Sequence, residues 1–500
     1  MPGAVLLAVL IIDGEPASAP RPRINASRSL AAPGRRTGAR DPRLTGALSG
    51  HSGRVDSRWR PRQLPRVDNV THALAGMLMA DATIGYVSGR SRGRVPDRFR
   101  TAAVIMGIAA AEFPDTDLVY SGPLVGMGKL GYLLHHRGHT HTIVWAVLSA
   151  MLLWWVARWW WHRRATSDEA AWWAAHGSRA LLALALAGTL SHLVLDWTNS
   201  YGVHPFWPLD DRWFYGDAVF IVEPWLWVVA IPPLFWNRTA RSARAVLVVL
   251  LALILAASWG LGEVARPVAM LLTVGAAFWM ALQRVLPCGG RLLTALLAWT
   301  SVTSTFFLGA SQARAMVREA AARSPAVPRP RALDVVLNPA AGDPRCWLVM
   351  AVTTDDVMYR VSEGLVAPFP GLRSAAQCAE RYRTARMGAS ILAALPNASP
   401  AVPLDSSSAL RWRRSWAVPR SEMVALATER CEFAAALRFM RTPVWVERGN
   451  GTLLLSDARY GVSGGGFAEV MLEPYPAPCS LMRAWVPGWV PPRADVLRGD

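Results

Sequence analysis

Of the ten histidines in this 500-residue chain, nine fall between His72 and His204, and none follows in the last 296 residues. Six of them gather, with carboxylates close by in sequence or chain order, in four short polar clusters. These are Thr71-His72, then Glu112-Phe113-Pro114-Asp115-Thr116-Asp117, then His135-His136-Arg137-Gly138-His139-Thr140-His141, then Ser191-His192 with Asp196. Imidazole nitrogens and carboxylate oxygens without thiolates suit Zn, Mn or Fe. His192 and Asp196 are four residues apart, so one helix face presents both. Asp115 and Asp117 follow a helix-stopping Phe-Pro, where two carboxylates can converge on a cation. His136 and His141 flank a glycine-containing turn. The chemistry expected is a metal-activated water attacking an ester or phosphoester, with Asp115 or Asp117 as general base. Arg137, set among the candidate ligands, is expected to hold an anionic substrate group, with Arg212 a weaker candidate.

The elements that must position these groups are helical. Apolar residues occur in blocks at about 70–88, 101–119, 139–161, 179–199, 217–236, 243–260, 265–285 and 291–311. Several are long enough to cross roughly 30 Å of hydrocarbon. The fold expected is an α-helical polytopic membrane domain of six to eight spans over 67–311. A basic, proline-punctuated linker at 312–331 leads to a smaller mixed α/β or β-rich soluble domain at 332–500. There, Thr442 to Asp457 reads as a hairpin around Asn450-Gly451. Arg-rich connections at 89–100, 158–179, 237–244 and 284–291 alternate with the others and belong on the cytoplasmic side. The four clusters and the C-terminal domain then share the opposite side. Ionisable groups at membrane depth are costly and usually functional.

The formal charge of +18 would fit a nucleic-acid binder, but its distribution argues against one. Residues 1–66 carry 12 Arg against 4 acids in a Pro/Gly/Ser/Ala-rich tract expected to be disordered. The ordered pattern starts abruptly at Val67, which reads as the true start. Most of the remaining Arg lies in the short loops. Four of the five cysteines (Cys346, Cys378, Cys431, Cys479) are C-terminal and lack CxxC spacing; disulfides and buried thiols both fit. His162, His176 and His204 lie outside the clusters and are expected at the surface or interface, and Trp159 to Trp161 in an interfacial aromatic belt.

The runs DNVTHALAG, FPDTD, HHRGHTHT and SHLVLDWTNSYG, in that order and spacing over residues 67–225, resemble the YdjM family of bacterial inner-membrane metal-dependent hydrolases. A looser likeness continues through PFWPLDDRWFYGDAVFIVEP and into PAAGDPRCWLV and LSDARYG. The resemblance implies that His72, Asp115, Asp117, His136, His141, His192 and Asp196 are metal ligands or their immediate partners. It leaves His135 and His139 as additional imidazoles without an assigned role. It implies an inner-membrane location and contact with membrane lipids. A donor set of about seven N and O atoms suits one or two divalent ions (Zn, Mn or Fe), and a site at the membrane surface favours a lipid-linked or amphiphilic substrate by location alone. Two other classes fit the same residues: a metal transporter, which needs ligands at several depths, and a non-catalytic metal-binding structural or regulatory protein.

Overall fold

The computed structural model describes residues 68–121, 128–326, 328–381, 389–462, 466–474, 486 and 493–498. The basic tract 1–66 and Cys479 lie outside the described residues. The first helices are α1 (Asp68–Arg90), α2 (Asp97–Glu112), α3 (Gly128–His135), α4 (Ile143–Arg164) and α5 (Ser167–Trp197). They are followed by α6 (Pro224–Asn237), α7 (Arg241–Gly260), α8 (Arg266–Val285) and α9 (Cys288–Ala322). Among the described residues, five helices are long and apolar enough to cross a membrane: α4, α5, α7, α8 and α9. The six to eight spans expected from the sequence therefore reduce to five by this measure. At 16 and 14 residues, α2 and α6 are short, and α1 carries Asp68, His72, Asp81 and Arg90 along its length.

Small residues let α1, α2 and α5 approach closely. A Cβ on Gly76 would stand 2.2 Å from the carbonyl oxygen of Gly107, and one on Gly188 2.6 Å from the Cβ of Ala110. Close backbone approach through glycine is a common device where lipid removes the hydrophobic drive between helices. The three helices are thereby locked in register, and with them the residues at their ends.

The C-terminal part is built from antiparallel strands. The first sheet has the order β1 (Arg331–Ala340), β2 (Asp343–Thr354), β3 (Met358–Val366), β4 (Leu410–Pro419). The second has β5 (Pro443–Glu447), β6 (Leu453–Asp457) and β7 (Glu469–Leu472). The hairpin read around Asn450-Gly451 is the β5–β6 pair, with Gly451 at φ +77°. Both faces of β2 are covered, which explains its nearly continuous apolar run. Trp347, Val349 and Ala351 pack with Phe306, Ala310, Ala313 and Val317 of α9, whereas Leu348, Met350 and Val352 enter a second core with Tyr359, Phe433 and Trp445. A disulfide joins Cys346 to Cys378.

Two sequence expectations are corrected. Residues 312–322, read as linker, continue α9, because QARAMVREAAA contains only helix-compatible residues and the first proline comes at Pro325. Trp161, read as part of an interfacial belt, is fully buried and stacks on Trp173 with ring centroids 4.7 Å apart.

Substituting Gly76 by Ala forces α1 off α2 and should destabilise the protein by about 1–3 kcal/mol. Thermal unfolding in detergent checks this; an unchanged midpoint for Gly76→Ala would contradict the packing described.

Candidate metal centre

Chain reversals bring the four clusters to one end of the helix group. His72 lies in the first turns of α1, and Pro114 ends α2 in a tight turn over Phe113–Val119 that carries Asp115 and Asp117. The 136–141 turn precedes α4, and His192 and Asp196 occupy the last turns of α5.

The 136–141 turn is shaped by Asp117. One carboxylate oxygen accepts from the Arg137 backbone N–H (2.8 Å) and the Thr140 hydroxyl (2.8 Å), and the other lies 3.0 Å from His136 Nδ1. Arg137 is held at φ +60°, a left-handed conformation that a non-glycine residue adopts only under such restraint. Burial disfavours the Asp117 carboxylate, but His136 and His141 beside it outweigh that cost and keep its pKa below the ordinary value.

The hydrogen bonds fix which imidazole nitrogens carry protons. Thr140 donates its only hydroxyl hydrogen to Asp117, so it accepts from His141 Nδ1 at 3.0 Å. His192 Nδ1 is 2.6 Å from the carbonyl oxygen of Ala111, which can only accept. Both Nδ1 atoms therefore bear hydrogen, and in the neutral rings both Nε2 atoms are left with bare lone pairs. Those two Nε2 atoms are 3.2 Å apart. Asp196 Oδ2 is 3.1 Å from one and 3.3 Å from the other, and Asp115 Oδ1 is 3.4 Å and 3.5 Å away. With neutral rings, four acceptors thus converge with no hydrogen between them. Burial disfavours a charged His141, but Asp115, Asp117 and Asp196 outweigh it and raise its pKa to about 10, so without a cation a proton fills the gap.

Charge points the same way. Asp115, Asp117 and Asp196 carry three negative charges, and Arg137 offsets one through its Nη2 contact with Asp196 (2.7 Å). With the imidazoles neutral two remain, and the Glu112 carboxyl is buried nearby. A divalent cation would balance the charge and pair the four acceptors at once. Asp115, His141, His192 and Asp196 form one group whose atoms could hold such an ion, and Asp115, Asp117 and His136 form a second. Asp115 belongs to both.

His72 falls in neither group. Its ring stacks on His192 at 3.9 Å, and its Nε2 lies 3.4 Å from Asp196 Oδ1. Arg137 does not face outward as an anion receptor. It is buried, bound to Asp196, to the Asn199 side chain (3.2 Å) and to the Gly202 carbonyl, with Tyr201 4.4 Å away. Arg212 is exposed and paired with Asp210. His135 and His139 border the site, and His139 lies beside Tyr120.

His204 is a correction. Expected at the surface, it is buried, stacks on Trp213 and reaches the carbonyls of Arg137 (3.0 Å) and Gly138 (3.1 Å) through Nε2. Burial pushes its pKa down to about 4, so the neutral ring donates to both carbonyls and holds the turn. Asn69, Thr140 and Asn199 were also missed, although each lies inside a quoted motif. Asn69 donates to both Glu112 and Asp115 at 2.8 Å. No spacing rule distinguishes such supporting amides and hydroxyls from ordinary cap residues.

Fold and site together define a helical membrane protein with a buried His/Asp centre at one end of its helices. The stretch that holds α1 to α7 and the whole His/Asp cluster is YdjM-like: residues 67–264 match the family described as YdjM inner membrane protein. No curated protein and no solved structure matches the chain.

Elemental analysis of the detergent-purified protein should find one or two equivalents of a divalent transition metal. His141→Ala and Asp196→Asn should lose it, and His162→Ala should not. Thr140→Val should weaken affinity by about 10–100-fold. A folded wild-type protein free of metal would contradict the site.

Proposed function

We propose that the chain is a membrane-bound metal-dependent hydrolase acting on an ester or phosphoester of an amphiphilic substrate. The observation that carries this reading is the convergence of four lone-pair atoms, one of them on a carboxylate that reaches the surface. The Asp115 side chain is 12% exposed, whereas His141, His192 and Asp196 are sealed. Zn, Mn or Fe fits a donor set of imidazole and carboxylate. Held there, such an ion would polarise a substrate oxygen and lower the pKa of water.

The chain's own residues divide the remaining work. Asp115 offers Oδ1 to the centre while Asn69 holds Oδ2, so it can take a proton from water at the open side. Asp117, saturated by His136, Arg137 and Thr140, is a positioning residue rather than the base. Arg137 positions Asp196. Exposed Val119, Ile143 and Val144 lie next in sequence to Tyr120 and Thr142 and suit an acyl chain.

We also propose that the five apolar helices cross the inner membrane, with the sheets and the metal centre on the non-cytoplasmic side. Arg90, Arg98, Arg164, Arg238, Arg241, Arg284 and Arg291 mark the opposite helix ends, as the positive-inside rule requires. The Cys346–Cys378 disulfide favours an oxidising compartment for the sheets. A non-catalytic metal role is the second reading, favoured by how fully the cluster is buried. A transporter is less well supported, because the ligands bunch at one end.

In intact cells, an impermeant maleimide should leave exposed Cys288 unlabelled until the membrane is opened. Labelling of Cys288 from outside would reverse the orientation. Metal-loaded protein should hydrolyse members of a panel of phosphoester and carboxyl-ester lipids. Asp115→Asn should lower the rate about 10²–10⁴-fold. Full metal content with no turnover across the panel would favour the non-catalytic reading.

A further inference from the structure

A second polar site lies away from the metal centre, where α9 leaves the helices and meets the edge strand β1. It is a cleft of about 270 Å³ lined by Tyr215, Asp217, Arg314, Arg318, Asp334 and Arg441, with strand residues 332–335. Its two carboxylates are already satisfied. Asp217 receives Arg441 at 2.7 and 3.1 Å and Arg314 Nη2 at 2.9 Å. Asp334 receives Arg441 at 2.8 and 2.9 Å. Arg441 is spent on these contacts and packs over Tyr215 at 4.0 Å.

Two guanidinium groups have donors left over. Among the described residues, the only side-chain hydrogen bond of Arg314 is that from Nη2 to Asp217, and the Arg318 side chain makes no hydrogen bond or ion pair. They are four residues apart, so they share one face of α9. The cleft holds three Arg against two Asp, an excess of one positive charge. Paired guanidiniums with unspent donors match the oxygens of phosphate and carboxylate groups, and phosphate has enough oxygens to engage both at once.

Height along α9 suggests the source. Its 35 residues span about 52 Å, more than the hydrocarbon thickness. Leu293, Leu296, Leu297 and Leu308 are exposed, and Arg314 follows Leu308 by six residues, about 9 Å along the axis. With α9 taken as a membrane span, as proposed above, the two arginines stand at headgroup level.

We propose that this cleft binds a phosphate or phosphate-ester group through Arg314 and Arg318, independently of the metal centre. The test uses the full chain in non-ionic detergent, treated with chelator so that phosphate cannot bind through metal. Calorimetric titrations compare inorganic phosphate, mixed micelles containing phosphatidic acid, and mixed micelles containing phosphatidylcholine. Saturable binding of a phosphate probe should weaken about tenfold or more in Arg318→Gln and further in Arg314→Gln/Arg318→Gln. Arg323→Gln, which removes an exposed charge just past the end of α9 and outside the cleft, should bind as wild type does. Binding of phosphatidic acid alone assigns a lipid headgroup, and equal binding of inorganic phosphate assigns the free anion. The proposal is overturned if neither probe binds, if Arg318→Gln binds like wild type, or if Arg323→Gln weakens binding equally.

Discussion

Buried carboxylates govern this structure. Asp117 and Asp196 are shut away from water with little but imidazole, hydroxyl and one guanidinium to meet them. Removing such charges from water costs several kcal/mol each unless they are paired and hydrogen-bonded. The surrounding chain is arranged to meet that cost. The 136–141 turn wraps around Asp117, Arg137 is forced into a left-handed conformation to reach Asp196, and His204 pins the same turn from behind. The Gly76–Gly107 contact locks α1 against α2, which holds Asn69 within reach of Asp115. With the imidazoles neutral, what the protein leaves unbalanced is two negative charges and four converging lone pairs, and a divalent cation in place of imidazole protons suits that remainder.

The sheets extend the same logic. Asp217 sits at φ +50° between the helix ends and β1, its carboxylate taking Arg441 of the sheet region. Its backbone N–H donates to the carbonyl of Asn199, whose side chain accepts from Arg137. Arg459 likewise reaches the Ser200 carbonyl, and Gly342 caps Glu223. The segment that follows α5 is therefore clamped between the metal centre and the sheets, and α9, one continuous helix from Cys288 to Ala322, packs against β1 and β2.

Much of the site was legible in the sequence because its constraints are local. His192 and Asp196 share a helix face by period alone, and Pro114 must end a helix. The hairpin at Gly451 was equally plain, since Asn-Gly favours a tight reversal. Less was legible where the decisive partner is distant in sequence. The role of Arg137 depends on Asp196, 59 residues away, and that of His204 on the carbonyls of Arg137 and Gly138, 67 and 66 away. Isolated arginine and histidine look alike whether they face substrate or hold a turn. Helix length misled in the other direction, because the basic stretch after 311 reads as a linker until its apolar stripe is seen packed on Trp347.

The most direct test of the central claim is X-ray absorption at the metal edge of the purified protein. The expected spectrum shows a shell of nitrogen and oxygen at about 2.0–2.2 Å, with the outer-shell scattering of imidazole and no sulfur. That pattern should disappear in the His141→Ala/His192→Ala variant. A spectrum dominated by sulfur, or by water oxygen without imidazole, would place any metal elsewhere. The cluster would then be a set of protonated histidines pairing buried carboxylates.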